Sequence, residues 1–244
     1  MEISCFCPFC YSSRKSFRYN TEKNVYCCWR CGEKGRGNPA RLRIRTGQEE
    51  NTERNHELPE DWILLRDVPE RKPVLQRVRH YLYSHHIELT EELEGQIGVC
   101  GFWLTVPIPH PRRLRFYVQR NLDRKQFLSA PWPKYGIVYQ RGHRNQGPLF
   151  LVESAFSAIR MEPFGHVIAT LGSTVTNDQC NHIARICDRR RLIILLDADA
   201  QDKAACLQCE MMNRGVVSSV ARLPYGDPCD YSDENLGGII NAFA

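Results

Sequence analysis

Three carboxylates close two apolar runs: Glu153 ends Leu149-Phe-Leu-Val-Glu153, and Asp197 and Asp199 end Leu192-Ile-Ile-Leu-Leu-Asp-Ala-Asp199. Short unbroken apolar runs read as buried strands. Residues just past the carboxyl ends of parallel strands share one crevice, so the three acids are expected to converge. Like charges brought together raise one another's proton affinity unless a hard, oxygen-preferring divalent cation sits among them, Mg2+ or Mn2+. Phosphoryl transfer asks a protein for charge neutralisation and alignment more than for covalent help. The three acids point to that chemistry.

The elements that must position them alternate in type. Strand-like runs at 149–153, 166–171, 192–197 and 217–223 are followed by helical patterns through 160, near 178–189, at 200–214 and from 233. That order predicts a parallel sheet with crossover helices over 148–244. No G-x-x-x-x-G-K-[ST] occurs, so a P-loop motor is excluded from this chain. Residues 61–147 read as a mixed α+β unit, with a helix from Val74 to His85 and strands near 102–108 and 114–120. Arg112, Arg113, Arg115, Arg120, Lys125 and Lys134 make it the most basic part of the chain and a candidate groove for a polyanion. His80, His85, His86 and His110 lack partners at ligand spacing and read as surface or packed residues.

The amino-terminal segment carries different chemistry. Cys7-Pro-Phe-Cys10 and Cys28-Trp-Arg-Cys31 supply four thiolates at the spacing of a tetrahedral Zn2+ site. The stretch 16–26 between them reads as a hairpin with a polar tip, giving a β zinc ribbon over 1–38. So small a unit lacks a sufficient core, and Zn2+ binding would supply much of its folding free energy. Cys5 and Cys27 read as bystanders, and Cys206 and Cys209 as core thiols on one helix face. Aromatic and basic residues interleave around the knuckles, among them Tyr11, Arg14, Phe17, Arg18, Tyr19 and Trp29. Two readings stay open: rings and cations that hold single-stranded nucleic acid, or a miniature core with solvated charges. Gly32 to Pro39 reads as a break in regular structure and 39–60 as a polar linker, whose Arg41, Arg43 and Arg45 either touch phosphate or face water.

Composition sets the outer bounds. The chain has 244 residues, 42% of them hydrophobic, which is enough for folded domains rather than a disordered tail. The net charge of +5 combines a basic front with an acidic site, a division that suits a polyanionic partner. Twelve cysteines without a leader pattern at the amino terminus point to a reducing, cytoplasmic setting, and no apolar run is long enough to cross a bilayer.

These pieces resemble a known family in order along the chain. Glu153, Ala169-Thr-Leu-Gly-Ser-Thr-Val-Thr176, Leu196-Asp-Ala-Asp199 and Leu223-Pro-Tyr-Gly-Asp-Pro-Cys-Asp230 are similar to the Toprim domain of bacterial-type DNA primases, phage primases above all. Tyr81-Leu-Tyr83 with Ile87, Arg120 and Lys125-Gln-Phe-Leu-Ser-Ala-Pro131 resemble the basic subdomain that precedes it, and the cysteine pairs resemble the zinc ribbon. The chain departs from the family pattern at Ser154, Asp202 and Cys229.

The resemblance implies a primase that makes short RNA primers on single-stranded DNA from NTPs, with structural Zn2+ and catalytic Mg2+ or Mn2+. It implies that Glu153 is the acid/base residue or a metal ligand, that Asp197 and Asp199 hold Mg2+, and that Asp227 and Asp230 complete the cluster. Arg120 and Lys125 would line the groove for template or nucleotide, with a separate replicative helicase as a further partner and, for a phage protein, a bacterial host cytoplasm as the setting. The alternative is a recombination-mediator or replication accessory protein that pairs a four-cysteine zinc site with a Toprim domain and binds DNA without catalysis.

Overall fold

A computed structural model describes residues 2–5, 16–29, 34–36, 57–110, 113–132, 134, 136–143 and 148–243. The chain divides into two compact units, Met1–Asn55 and His56–Ala244.

The described residues of the first unit form a four-stranded antiparallel sheet in the order β1 (Glu2–Cys5), β2 (Phe17–Asn20), β3 (Val25–Cys28), β4 (Lys34–Arg36). The expected hairpin is β2 and β3, and its turn is fastened by the Asn20 side chain accepting from the Glu22 and Lys23 amides at 3.1 and 2.9 Å. β4 corrects the reading of 32–39 as a break. Backbone pairing with β3 needs no apolar side chains, and at Gly35, opposite Tyr26, a Cβ would meet the tyrosine hydroxyl at 2.5 Å and force that ring to shift. Phe17 is fully buried, Tyr26 stacks on it with ring centroids 5.2 Å apart, and Tyr19 is buried beside them. Those rings form the small core. Of the four proposed zinc ligands only Cys28 lies among the described residues; it is buried, with Sγ 3.5 Å from Ser16 Oγ. Cys7, Cys10 and Cys31 lie outside them, as do Arg14 and Tyr11.

The described residues of the second unit form two five-stranded sheets. One is an antiparallel meander of β5 (Ile63–Leu64), β6 (Gly98–Cys100), β7 (Trp103–His110), β8 (Arg113–Asn121) and β9 (Phe127–Ser129). Helices α1 (Pro73–Ser84) and α2 (Glu91–Glu94) precede its long strands. Pro73 at the start of α1 suits a position whose N–H has no helical partner.

The other sheet has the order β10 (Tyr139–Arg141), β12 (His166–Ala169), β11 (Leu149–Val152), β13 (Leu192–Ile194), β14 (Ser218–Val220). β11 to β14 are parallel, and β10 is an antiparallel edge from a segment that the sequence predicts to belong to the preceding unit. Helices α3 (Ala155–Met161), α4 (Asn177–Cys187) and α5 (Gln201–Met212) are the crossovers, and α6 (Asp233–Asn241) follows β14. Strand alternation sends side chains to two faces. Leu149, Leu151, Ile168, Leu192 and Ile194 share one core with the buried residues of α4 and α5. Phe150, Val152, Val167 and Ile193 share the other core with α3, α6 and the meander.

The structure also corrects the reading of Cys206 and Cys209 as core thiols: both are exposed on α5, whose buried face is Ala204, Leu207 and Met211. At about 3.6 residues per turn the cysteines fall on the side of the helix opposite that stripe. Among the described residues no helix is long and apolar enough to cross a membrane.

Candidate active-site cleft

The site begins where the parallel strands end. Val152 closes β11 inside the core, and the next residue, Glu153, emerges half-buried. Ser154 turns the chain into α3 as its N-cap, its Oγ accepting from the Ser157 amide at 2.9 Å. After β13, Leu195 and Leu196 remain buried before Asp197 opens a short 3-10 turn, Ala198–Ala200, that carries Asp199. The third acidic segment follows β14. Asp227 caps the turn Pro228–Asp230 by accepting from the Cys229 amide at 2.7 Å, while Asp230 Oδ2 accepts from the Asp227 amide at 2.9 Å. This reciprocal cap gives the Asp227-Pro-Cys-Asp230 spacing a local reason. It places both acids on one turn and buries Cys229 beneath them.

Glu153, Asp197, Asp199, Asp227 and Asp230 line one cleft of about 820 Å3. Asp197 Oδ1 is buried and has no hydrogen-bond partner. Burial pushes the Asp197 carboxyl up to about 7, with Glu153, Asp227, Asp199 and Asp230 adding like-charge repulsion. Glu153 is raised too, first by burial and then by Asp199 and Asp227, against the pull of Lys203 and Lys134. The acids therefore act on one another, although among the described residues no three His, Cys, Asp or Glu side chains stand close enough to be a ready-made metal-ligand set. Their donor chemistry is all carboxylate oxygen, which suits Mg2+ or Mn2+, and the unpartnered oxygen of Asp197 is the kind of group a hard cation satisfies.

The opposite wall comes from α1 and the meander, through Tyr81, Arg120, Lys125 and Phe127. Arg120 Nη1 donates to the carbonyls of Asn121 at 2.9 Å and Gln126 at 3.4 Å, and also to that of Arg124. Its guanidinium lies between two rings, 4.8 Å from Phe127 and 5.5 Å from Tyr81. The Asn121 side chain fastens the same turn by accepting from the Asp123 and Arg124 amides at 2.9 and 3.0 Å. Arg120, expected to line the groove for template or nucleotide, does line the cleft, and its Nη1 fastens the turn that lifts Lys125 and Phe127, both exposed, into it.

Lys134 supports the site from outside the cleft lining, and the sequence shows it only as part of a basic run. Its Nζ donates to the carbonyls of Thr170, Leu171 and Thr174 at 3.1, 3.2 and 2.9 Å. It thereby holds the loop after β12, where Leu171 and Gly172 take positive φ and the Gly172 amide donates to the Glu153 carbonyl at 3.0 Å. Burial draws Lys134 down to about 8, opposed by the charge of Glu153. Gln179, fully buried, donates to the carbonyls of Ile137 and Thr170, both at 2.7 Å, and steadies the same loop. Acceptors that are backbone carbonyls leave no signature in side-chain sequence.

In the first unit, Trp29 is 76% exposed, and Arg18 pairs with Glu2 at 3.1 Å on the surface. Among the described aromatic residues there, Phe17, Tyr19 and Tyr26 serve the core, and Trp29 faces outward.

Compared with solved structures, the chain is similar to the zinc-binding and RNA polymerase domains of the Aquifex aeolicus primase, with a TM-score of 0.52 and 18% identity over 99% of this chain and 78% of that one. The primase fragment of the bacteriophage T7 primase-helicase protein matches 99% of this chain and 99% of its own, with a TM-score of 0.49 and 12% identity. No protein-family profile matches the sequence, and no curated protein matches it significantly. The likeness is one of fold: the resemblance to bacterial-type primases read from the sequence is present in three dimensions.

Proposed function

We propose that the protein is a DNA primase, a nucleotidyltransferase that joins NTPs into short RNA primers on single-stranded DNA. The observation that carries this reading is the meeting of Glu153, Asp197, Asp199, Asp227 and Asp230 in one cleft, with a buried, unpartnered oxygen on Asp197. In the reaction a 3′-hydroxyl oxygen bonds to the α-phosphorus of an NTP, the bond from that phosphorus to its bridging oxygen breaks, and pyrophosphate leaves. Glu153, half-buried and with raised proton affinity, receives the hydroxyl proton. Asp197, Asp199 and Glu153 would hold Mg2+ or Mn2+, whose positive charge neutralises the phosphate oxygens. Asp227 and Asp230, fixed on their turn, extend the same negative field. Lys125 meets phosphate and Phe127 offers a ring on the opposite wall.

The amino-terminal unit fits this reading as a template-binding ribbon with one Zn2+ on Cys7, Cys10, Cys28 and Cys31, and with Trp29, Arg14 and Arg18 toward the template. A separate replicative helicase is the partner that such an enzyme serves. The test is incorporation of labelled ATP or GTP into short products on single-stranded DNA, with and without Mg2+ or Mn2+. Template- and metal-dependent products are expected; DNA binding without any product would transfer the proposal to a non-catalytic accessory protein.

A further inference from the structure

The segment that carries Asp227 also presents a ring with one face packed and the rest exposed. Tyr225 is 58% exposed, yet it is held rigidly. One face of its ring lies on Tyr231, with centroids 4.7 Å apart and planes 21° from parallel, and Tyr231 is itself buried. The Tyr231 hydroxyl accepts from the Tyr225 amide at 2.9 Å and donates to the Tyr225 carbonyl at 2.7 Å, so both polar arms of that backbone are tied to one group. The next residue, Gly226, has φ +56°, and a Cβ there would collide with the Asp230 carboxylate. Its carbonyl accepts from the Ala198 amide at 2.8 Å, which couples the tyrosine segment to the turn bearing Asp197 and Asp199.

An exposed aromatic ring is ordinarily free to change rotamer, and ordering it costs conformational entropy. Here the cost has been met in advance by a buried partner ring and a pinned backbone, two residues from an acid of the cleft. Such preorganisation is what makes a ring an effective binding surface. Arg222, exposed three residues earlier on the same segment, adds a positive charge. Resting on the reading of the cleft as a nucleotidyl-transfer site, we propose that Tyr225 is a stacking platform for a nucleobase, with Tyr231 as the residue that positions it. The base belongs to a nucleotide unit whose phosphates face the carboxylate cleft, either in the bound strand or in the incoming NTP.

The test compares wild type with Tyr225→Ala, Tyr225→Phe and Tyr225→Trp, all checked for unchanged thermal melting. The probes are a labelled oligodeoxythymidylate, an abasic oligonucleotide of equal length, and ATP, measured at fixed salt. Tyr225→Ala is expected to weaken one base-containing probe about tenfold while abasic binding holds, and Tyr225→Phe should restore it. Loss on the oligonucleotide assigns the base to the strand; loss on ATP assigns it to the incoming nucleotide. In Tyr225→Trp the same probe should quench the new indole fluorescence, a readout that does not depend on affinity lost through folding. Unchanged binding of every probe by Tyr225→Ala, or equal loss on the abasic strand, would overturn the platform. Primer synthesis enters none of these measurements. A protein that stacks bases on Tyr225 but makes no primer would refute the functional reading alone, and a primer-making protein indifferent to Tyr225→Ala would refute the platform alone.

Discussion

The two walls of the cleft are built on opposite terms. The acidic wall, at the carboxyl ends of the parallel strands, keeps a buried oxygen of Asp197 without a partner and crowds four further acids around it. On the basic wall, Arg120 is paired with three carbonyls and lies between two rings. An unpartnered buried charge costs stability and persists where it serves something other than the fold. A hydrogen-bonded one fixes geometry. On the proposed function, this contrast assigns the chemistry to the acidic wall and position to the basic wall, with Arg120 fastening the turn that bears Lys125 and Phe127.

Removing acids is the strongest way to break the contrast. Glu153→Gln and Asp199→Asn should each lower single-turnover primer extension by on the order of a hundredfold or more, the scale of losing one preorganised electrostatic contact to a transition state. Thermal melting should stay level or rise, because each change relieves repulsion on Asp197. A clear drop in melting temperature would assign these acids to the fold. Arg120→Lys should do the reverse. Lysine cannot reproduce the planar guanidinium between Tyr81 and Phe127, so stability should fall by about 1–2 kcal/mol with a matching loss of template affinity. Denaturant titrations and anisotropy measure both, and wild-type values would show that the turn is not preorganised by Arg120.

The smallest expected effect concerns Lys134. Its folded value of about 8 lies below its ordinary 10.5, so between those values the unfolded chain binds more protons than the folded one. The cost of burying the charge is fully present below about 8 and is relieved as pH rises through that window. Stability of wild type minus that of Lys134→Met should therefore increase from about pH 7.5 to 9.5. The offset between the two proteins reports the carbonyls of Thr170, Leu171 and Thr174 left unpaired, and the slope reports the charge. A flat difference would mean that the three carbonyls hold the ammonium charged throughout.

What was legible in the sequence followed from period and local chemistry. Leu149 to Val152 and Leu192 to Ile194 are apolar without interruption because parallel strands are covered on both faces. The helix expected near 178–189 is α4, Asn177–Cys187, and the structure opens it with a capping box between Thr176 and Gln179. The acids could be placed because they directly follow those strands, and the sheet's connectivity brings strand ends together. What escaped was tertiary. β10 is three residues long and joins the sheet by backbone pairing to β12. Cys206 and Cys209 have a spacing that fits either face of a helix, and the buried stripe of Ala204, Leu207 and Met211 took the other one. The Lys134 clamp and the Tyr231 anchor act on backbone atoms, which any sequence supplies equally.

The most direct measurement is single-turnover primer synthesis by Asp197→Asn, run beside template affinity and thermal melting of the same preparation. Asparagine keeps the shape and removes the charge whose oxygen lacks a partner. The account predicts wild-type template affinity, a melting temperature at or above that of wild type, and primer synthesis reduced by on the order of a hundredfold or more. Primer synthesis at the wild-type rate would contradict it, since the acidic wall would then not be where the reaction occurs.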